Sequence, residues 1–294
     1  MIKKILIVGG TGMLGRPVVR RLYNDGYKIR LMTHNLDRAK RYFGDEIEKV
    51  VADVTDMETL PTAIKGCDAV YINLNAKMNI DKYKSIEIEG TENIALAAAD
   101  LGIQRIAMIS SLNVNDLDAK YRFIDAKLKA ERALVKSGIP YTIFRCSWFY
   151  ESLPLFIQGK KAILLGSQPH PISWLAASDY AGMVSKAFEL EGTTGKIYMV
   201  KGREKMSIGD ALAKFCDLVV PDAAISPIPL WLASVGGLFS RKKQTKGLIQ
   251  FMKYYDTHPE PDIDGNAEEI LGIATTNLMD WAEEYKNRLQ LIRL

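Results

Sequence analysis

Apolar residues gather in short, nearly unbroken runs over residues 3–8, 28–33, 47–52, 69–74, 105–110 and 141–146. Runs of this kind, rich in β-branched residues, suit parallel strands that are covered on both faces. Between them the apolar positions recur at helical spacing, which predicts helices over 14–24, 37–42, 57–64, 82–101 and 124–136. Glycine follows several of these segments, at Gly26, Gly66, Gly102 and Gly138, as it commonly does where a helix stops. Strands and helices alternating at this rhythm predict right-handed crossovers and an α/β fold built on a doubly wound parallel sheet.

After about residue 147 the rhythm changes. Aromatics and prolines become frequent (Trp148, Phe149, Tyr150, Pro154, Phe156, Pro169, Pro171, Trp174). Helices are expected over 177–190, 207–218 and 276–289, with a strand over 196–200. The chain therefore divides into residues 1–150, a nucleotide-binding type of domain, and residues 151–294, a smaller and mostly helical lobe. The lobe covers the carboxyl edge of the sheet, and part of it is free to join the sheet. No internal repeat or linker-like tract separates the two, so they are expected to pack as one body.

The first candidate chemistry is the loop Gly9-Gly10-Thr11-Gly12-Met13-Leu14-Gly15, between the first strand and the first helix. Gly9 permits a tight turn, Gly12 lets the backbone approach a pyrophosphate, and Gly15 allows close helix–strand packing. The amides of this loop and the positive end of the helix then face the phosphates. The second strand ends in Thr33-His34-Asn35-Leu36-Asp37-Arg38, with no acid directly at the strand end to accept from a ribose 2′-hydroxyl. Thr33, Asn35 and Arg38, with Arg16 nearby, suit a 2′-phosphate instead, so NADP is preferred over NAD. The competing reading is that Arg38 lies on a solvated helix face. Asp53 and Val54 follow the third strand, where the adenine end would lie; Thr55 or Asp56 can also cap a helix near Met57. Asn73, Leu74 and Asn75 end the fourth strand beside the ribose and nicotinamide path.

Composition excludes more than it identifies. Of 294 residues, 48% are hydrophobic and 25% charged, which fits an ordinary globular chain. A net charge of +4 gives no argument for nucleic acid. Cys67, Cys146 and Cys216 lie far apart and read as buried thiols in a reducing, cytoplasmic setting. No metal site is expected from His34, His170 and His258. Two lysines precede an apolar stretch that runs straight into the glycine loop, so no secretory signal is expected. The apolar run 230–239, followed by Arg241, Lys242, Lys243 and Lys246, reads as a lid or a homodimer contact. A membrane-surface contact ranks lower, because one basic cluster gives only marginal attraction.

With these motifs in hand the chain resembles the NmrA-like group of atypical short-chain dehydrogenase/reductases. The resemblance rests on the glycine loop, Asp53-Val54-Thr55-Asp56, Ser110-Ser111, Lys127 and the runs 140–145, 148–152, 173–181 and 271–278. It implies a Rossmann fold binding NAD(P), with functions from quinone and phenolic-ether reductases to non-catalytic redox sensors. Ordinary members of the superfamily pair this lysine with a tyrosine four residues earlier, which donates a proton to the substrate carbonyl. Here Phe123 stands at that position, and none of the 13 tyrosines precedes a lysine at that spacing. Tyr121 is turned about 200° away on a helix.

Two functions follow as expectations. The first is an NAD(P)H-dependent reductase of a quinone or other small conjugated carbonyl compound. Lys127 and Ser110 then give electrostatic support, and Trp148, Phe149 and Tyr150 line the substrate pocket. The second is a non-catalytic sensor or assembly protein whose cofactor state controls a regulatory partner. In the first, Lys127 also holds the ribose; pairing with Glu131 one turn on is its competing role.

Overall fold

The computed structural model describes residues 1–263 and 265–293. Seven parallel strands form the central sheet: β1 (Lys4–Val8), β2 (Lys28–Thr33), β3 (Glu48–Val51), β4 (Ala69–Ile72), β5 (Arg105–Ser111), β6 (Tyr141–Cys146) and β7 (Lys196–Val200). Their order across the sheet is β7-β6-β5-β4-β1-β2-β3. The winding direction reverses between β1 and β4, which leaves a crevice at their carboxyl ends. The pleat explains the unbroken apolar runs. Ile5 and Ile7 of β1 enter one core, with Val18, Leu31 and Tyr180. Leu6 and Val8 enter the opposite one, with Val70, Ile94 and Ile106.

The helices are α1 (Gly15–Asn24), α2 (Leu36–Phe43), α3 (Leu60–Ile64), α4 (Gly90–Asp100), α5 (Arg122–Lys136) and α6 (Ala177–Glu189). The lobe then adds α7 (Ile208–Val219), α8 (Leu230–Phe239), α9 (Lys243–Thr257), α10 (Glu268–Leu271) and α11 (Leu278–Arg293). α6 packs on α1, and β7 sits beside β6, so both belong to the layers of the central sheet despite lying beyond residue 150. The lobe has its own core of Tyr150, Trp174, Phe215 and Trp281 and holds two small sheets besides its helices.

Three local differences from the sequence reading matter at the site. The helix expected over 57–64 begins only at Leu60. The one expected over 82–101 opens with a π-helical stretch, Tyr83–Glu89, before α4; such turns are frequent at functional sites. α9 stands where no helix was expected.

Candidate functional site

The loop from Gly9 to Leu14 lies at the crevice. Gly9 has φ +80°, and a Cβ there would come 2.1 Å from the Asn73 carbonyl oxygen, so only glycine fits. A Cβ on Gly15 would approach the Gly9 oxygen to 2.3 Å, which bears out its packing role. Gly10 proves equally constrained, wedged against Leu31 and Val19. At Gly12 the neighbour within 4 Å of a Cβ is the Gly9 oxygen, at 3.1 Å, and the rest of its surroundings are open for a ligand. Its own amide is spent on Gly9 at 3.0 Å, whereas the amides of Met13 and Leu14 have no partner among the described bonds. No acid occupies the first turn of α1 to offset its positive end.

At the outer end of the crevice, the Thr33 hydroxyl donates to the Asn35 carbonyl and accepts from its amide. Asn35 caps α2, its Oδ1 accepting from the Arg38 amide at 2.8 Å. Arg38 therefore does more than line a solvated helix face: its Nη2 donates to the Thr11 carbonyl at 3.3 Å. Arg16 Nε donates to the Gly12 carbonyl at 3.4 Å. Both guanidinium groups lie over the Tyr42 ring, 4.7 Å (Arg16) and 5.8 Å (Arg38) from its centroid. Two cations are thus held beside the glycine loop. Asp53 Oδ1 accepts from the Thr55 amide and hydroxyl, and these bonds hold its carboxyl below the ordinary value despite partial burial. Thr55 and Asp56 consequently brace the loop and do not cap a helix at Met57. Val54 is buried against Gly90 at the start of α4.

From the glycine loop a cavity of about 550 Å³ runs under the lobe. Met13, Leu14, Asn73, Leu74 and Asn75 border it at one end, and Trp148, Phe251, Met252 and Tyr255 at the other. Lys127 projects into it from α5. Its Nζ donates to the Leu74 carbonyl at 3.0 Å and lies 2.9 Å from Glu87 Oε2. Glu87 is 3% exposed, and its other oxygen accepts from the Ala76 amide. The Leu74 bond directs one of the three ammonium donors, and the Glu87 contact is an ion pair without a hydrogen bond to Oε2, so donor capacity remains for a ligand.

Glu131 is not the partner of Lys127. It is buried in a fork with Arg145, 2.5 Å between Nη2 and Oε2, and it accepts from the Ser110 hydroxyl at 2.5 Å. Ser110 borders the cavity, but its proton is committed to Glu131, which corrects the expectation that it donates to a substrate oxygen.

Trp148 and Phe149 line the cavity as expected. Tyr150 does not: it is fully buried in the lobe core, stacks on Trp174 and Trp281, and donates to Glu204 at 2.7 Å. Phe123, which stands where the superfamily's tyrosine would be, borders the cavity, whereas Tyr121 packs against Tyr254 and His258 outside it. Sequence reasoning missed Tyr83, Glu87, Phe251 and Tyr255. Burial and the neighbouring Glu87 push the Tyr83 phenol up, and its hydroxyl meets only the Met78 sulfur, at 3.6 Å, among the described bonds. The Cys146 thiol at the cavity wall is pushed up by burial and so stays protonated. Among the described residues, no helix is long and apolar enough to cross a membrane.

A family model described as NAD(P)H-binding matches residues 9–163, a span that holds the glycine loop, Arg38, Asp53, Asn73 to Asn75 and Lys127. The chain is 30% identical over 240 residues to the photosystem II assembly factor Ycf39 of Guillardia theta, covering 78% of this chain and 74% of that protein. It is 26% identical over 215 residues to the (4-alkanoyl-5-oxo-2,5-dihydrofuran-3-yl)methyl phosphate reductase of Streptomyces griseus, covering 71% and 72%. Its fold matches that of the NADPH-dependent quinone oxidoreductase QOR2 of Escherichia coli, complexed with NADPH. That match has a TM-score of 0.76 and 20% identity over 96% of this chain and 99% of the other. The sheet order and crevice agree with the NmrA-like resemblance drawn from the motifs.

Proposed function

The chain belongs to the NAD(P)H-binding family, and from that premise we propose that it is an NADPH-dependent reductase of a quinone or another small conjugated carbonyl compound. The observation that carries this reading is the single cavity joining the glycine loop to an aromatic chamber, with Lys127 between them. The amides of Met13 and Leu14 and the start of α1 would hold the diphosphate, Asn73 to Asn75 and Lys127 the ribose. Arg38 and Arg16 favour a 2′-phosphate, and the absence of an acid at the end of β2 removes the usual partner of a bare ribose hydroxyl. Asp53 and Val54 remain for the adenine end. The cofactor supplies a hydride when bound.

This chain's own residues supply orientation and charge. Trp148, Phe251 and Tyr255 offer flat apolar surfaces to a planar substrate. An ammonium donor of Lys127 not bonded to Leu74 stabilises the negative charge that develops on the substrate oxygen, and water or Lys127 itself delivers the proton. We assign the protein to the cytoplasm, a reducing compartment in which three buried thiols remain unpaired.

A second reading, a cofactor-dependent assembly or regulatory protein, is favoured by the assembly-factor relatives and by Phe123 in place of a proton donor. Steady-state oxidation of NADPH and NADH across a panel of quinones and enones separates the two. The reductase reading expects turnover with NADPH to exceed that with NADH. Tight NADPH binding without turnover above background would overturn it. The second reading then expects NADP+ and NADPH to change partner affinity by unequal factors.

A further inference from the structure

Residues 223–255 carry Arg241, Lys242, Lys243, Lys246 and Lys253 and no acidic side chain, so this one segment holds more positive charge than the net +4 of the whole chain. Its first helix, α8, has no charged residue at all. Trp231, Leu232 and Val235 of α8 are 69%, 48% and 46% exposed. The other tryptophans are more covered: Trp174 and Trp281 are buried and Trp148 is partly so. Among the described residues of α8, none borders the cavity.

The attachment of α8 gives the face its geometry. α8 lies against α9 at Gly237, where a Cβ would come within 2.5 Å of Ile249 Cδ1. At about 100° per residue, Lys246 and Lys253 stand on the Ile249 side of α9, whereas Leu248, Phe251, Met252 and Tyr255 turn toward the cavity. Arg241 and Lys242 are exposed in the turn between the two helices. Exposed apolar side chains, an exposed tryptophan and a basic flank therefore occur together, on the side of α9 away from the cavity.

We propose that α8 and the basic turn after it dock the protein on an anionic lipid surface. Trp231, Leu232 and Val235 enter the boundary between headgroups and acyl chains, while Arg241, Lys242, Lys246 and Lys253 meet anionic headgroups. A two-fold contact between copies through this face would set basic turns of like charge near one another, which disfavours self-association as its use. The inference does not depend on the reductase reading: a vesicle-bound protein without turnover would leave it intact.

The test mixes the full chain with phosphatidylcholine vesicles, with and without phosphatidylglycerol, and follows co-sedimentation and tryptophan emission. Binding is expected only with phosphatidylglycerol, weakening at high salt and accompanied by a blue shift as Trp231 leaves water. Trp231→Ser abolishes the shift, and Arg241→Gln and Lys242→Gln each weaken binding about fivefold. Because these side chains are exposed, the variants are expected to keep the wild-type thermal midpoint, which checks that they fold. Absence of binding to either vesicle overturns the proposal, as does binding that Trp231→Ser leaves unchanged. So does a dimer in light scattering that Trp231→Ser dissociates, which would make the face a self-contact, or a soluble protein partner that competes with no lipid.

Discussion

The ion pair between Lys127 and Glu87 is where the site departs most from the pattern that its lysine suggests. A buried carboxylate facing one ammonium is costly to leave alone, because desolvation is no longer offset. Lys127→Met is therefore expected to lose about 3 kcal/mol of stability, and Glu87→Gln less, since the amide keeps a hydrogen-bonding oxygen. In a double-mutant cycle Lys127→Met with Glu87→Leu should recover much of the loss, with a coupling of about 1–3 kcal/mol. Additive effects in urea denaturation would mean that the two side chains do not act as a pair. None of this was legible beforehand. Glu87 is one of several acids in a helical run, and the π-helical turn from Tyr83 changes which residues share a face. The glycines were legible, because a strand–loop–helix context demands special backbone at fixed positions, as Gly9 and Gly15 bear out. Tyr150 misled for a physical reason: a run of aromatics shows that large surfaces are buried but not against what.

At the scale of elements, the cavity owes its far wall to α9, whose Tyr254 and Tyr255 tie it to the loop after β5. Tyr254 donates to Asp118 at 2.9 Å and Tyr255 to Asn113 at 3.1 Å, with burial pushing the Tyr255 phenol up to about 12. Burial pulls the Asp118 carboxyl upward, but hydrogen bonds from Asn115 and Tyr254 outweigh it and hold the group below its ordinary value. A carboxylate depressed in the folded state contributes stability above its unfolded pKa and loses it as pH falls through the folded one. Asp118→Asn should therefore lower the thermal midpoint at neutral pH, and the gap to wild type should close in acid. A gap that is constant across that range would show that the charge of Asp118 plays no part in holding α9. The helix itself escaped the sequence reading because Gly247 interrupts it. The structure explains the glycine: a Cβ there would lie 1.9 Å from the Met78 carbonyl oxygen. The six strands of the first half were legible because burial on both faces leaves an unmistakable apolar run, whereas the lobe's short strands of two to five residues carry too few positions to show a period.

On the scale of the whole molecule, the cavity is lined by residues of both the sheet and the lobe. Asp179 at the start of α6 accepts from the amides of Thr275 and Thr276, and Glu260 accepts from Ser147 and Ser173. These bonds join the last third of the chain to the segments after β6 and at the start of α6. The seam between sheet and lobe was not legible in the sequence, since residues that meet there, such as Met78 and Gly247, lie far apart along the chain. On the proposed function, Lys127 supports transfer from a cofactor in the crevice to a compound in the chamber. Rapid mixing of the NADPH complex with a quinone, limited to one turnover and read by nicotinamide absorbance, tests it most directly. Wild type is expected to oxidise its NADPH and Lys127→Met to do so about 100-fold more slowly, beyond any loss in NADPH affinity. Equal rates in the two proteins, or no oxidation in wild type, would contradict it.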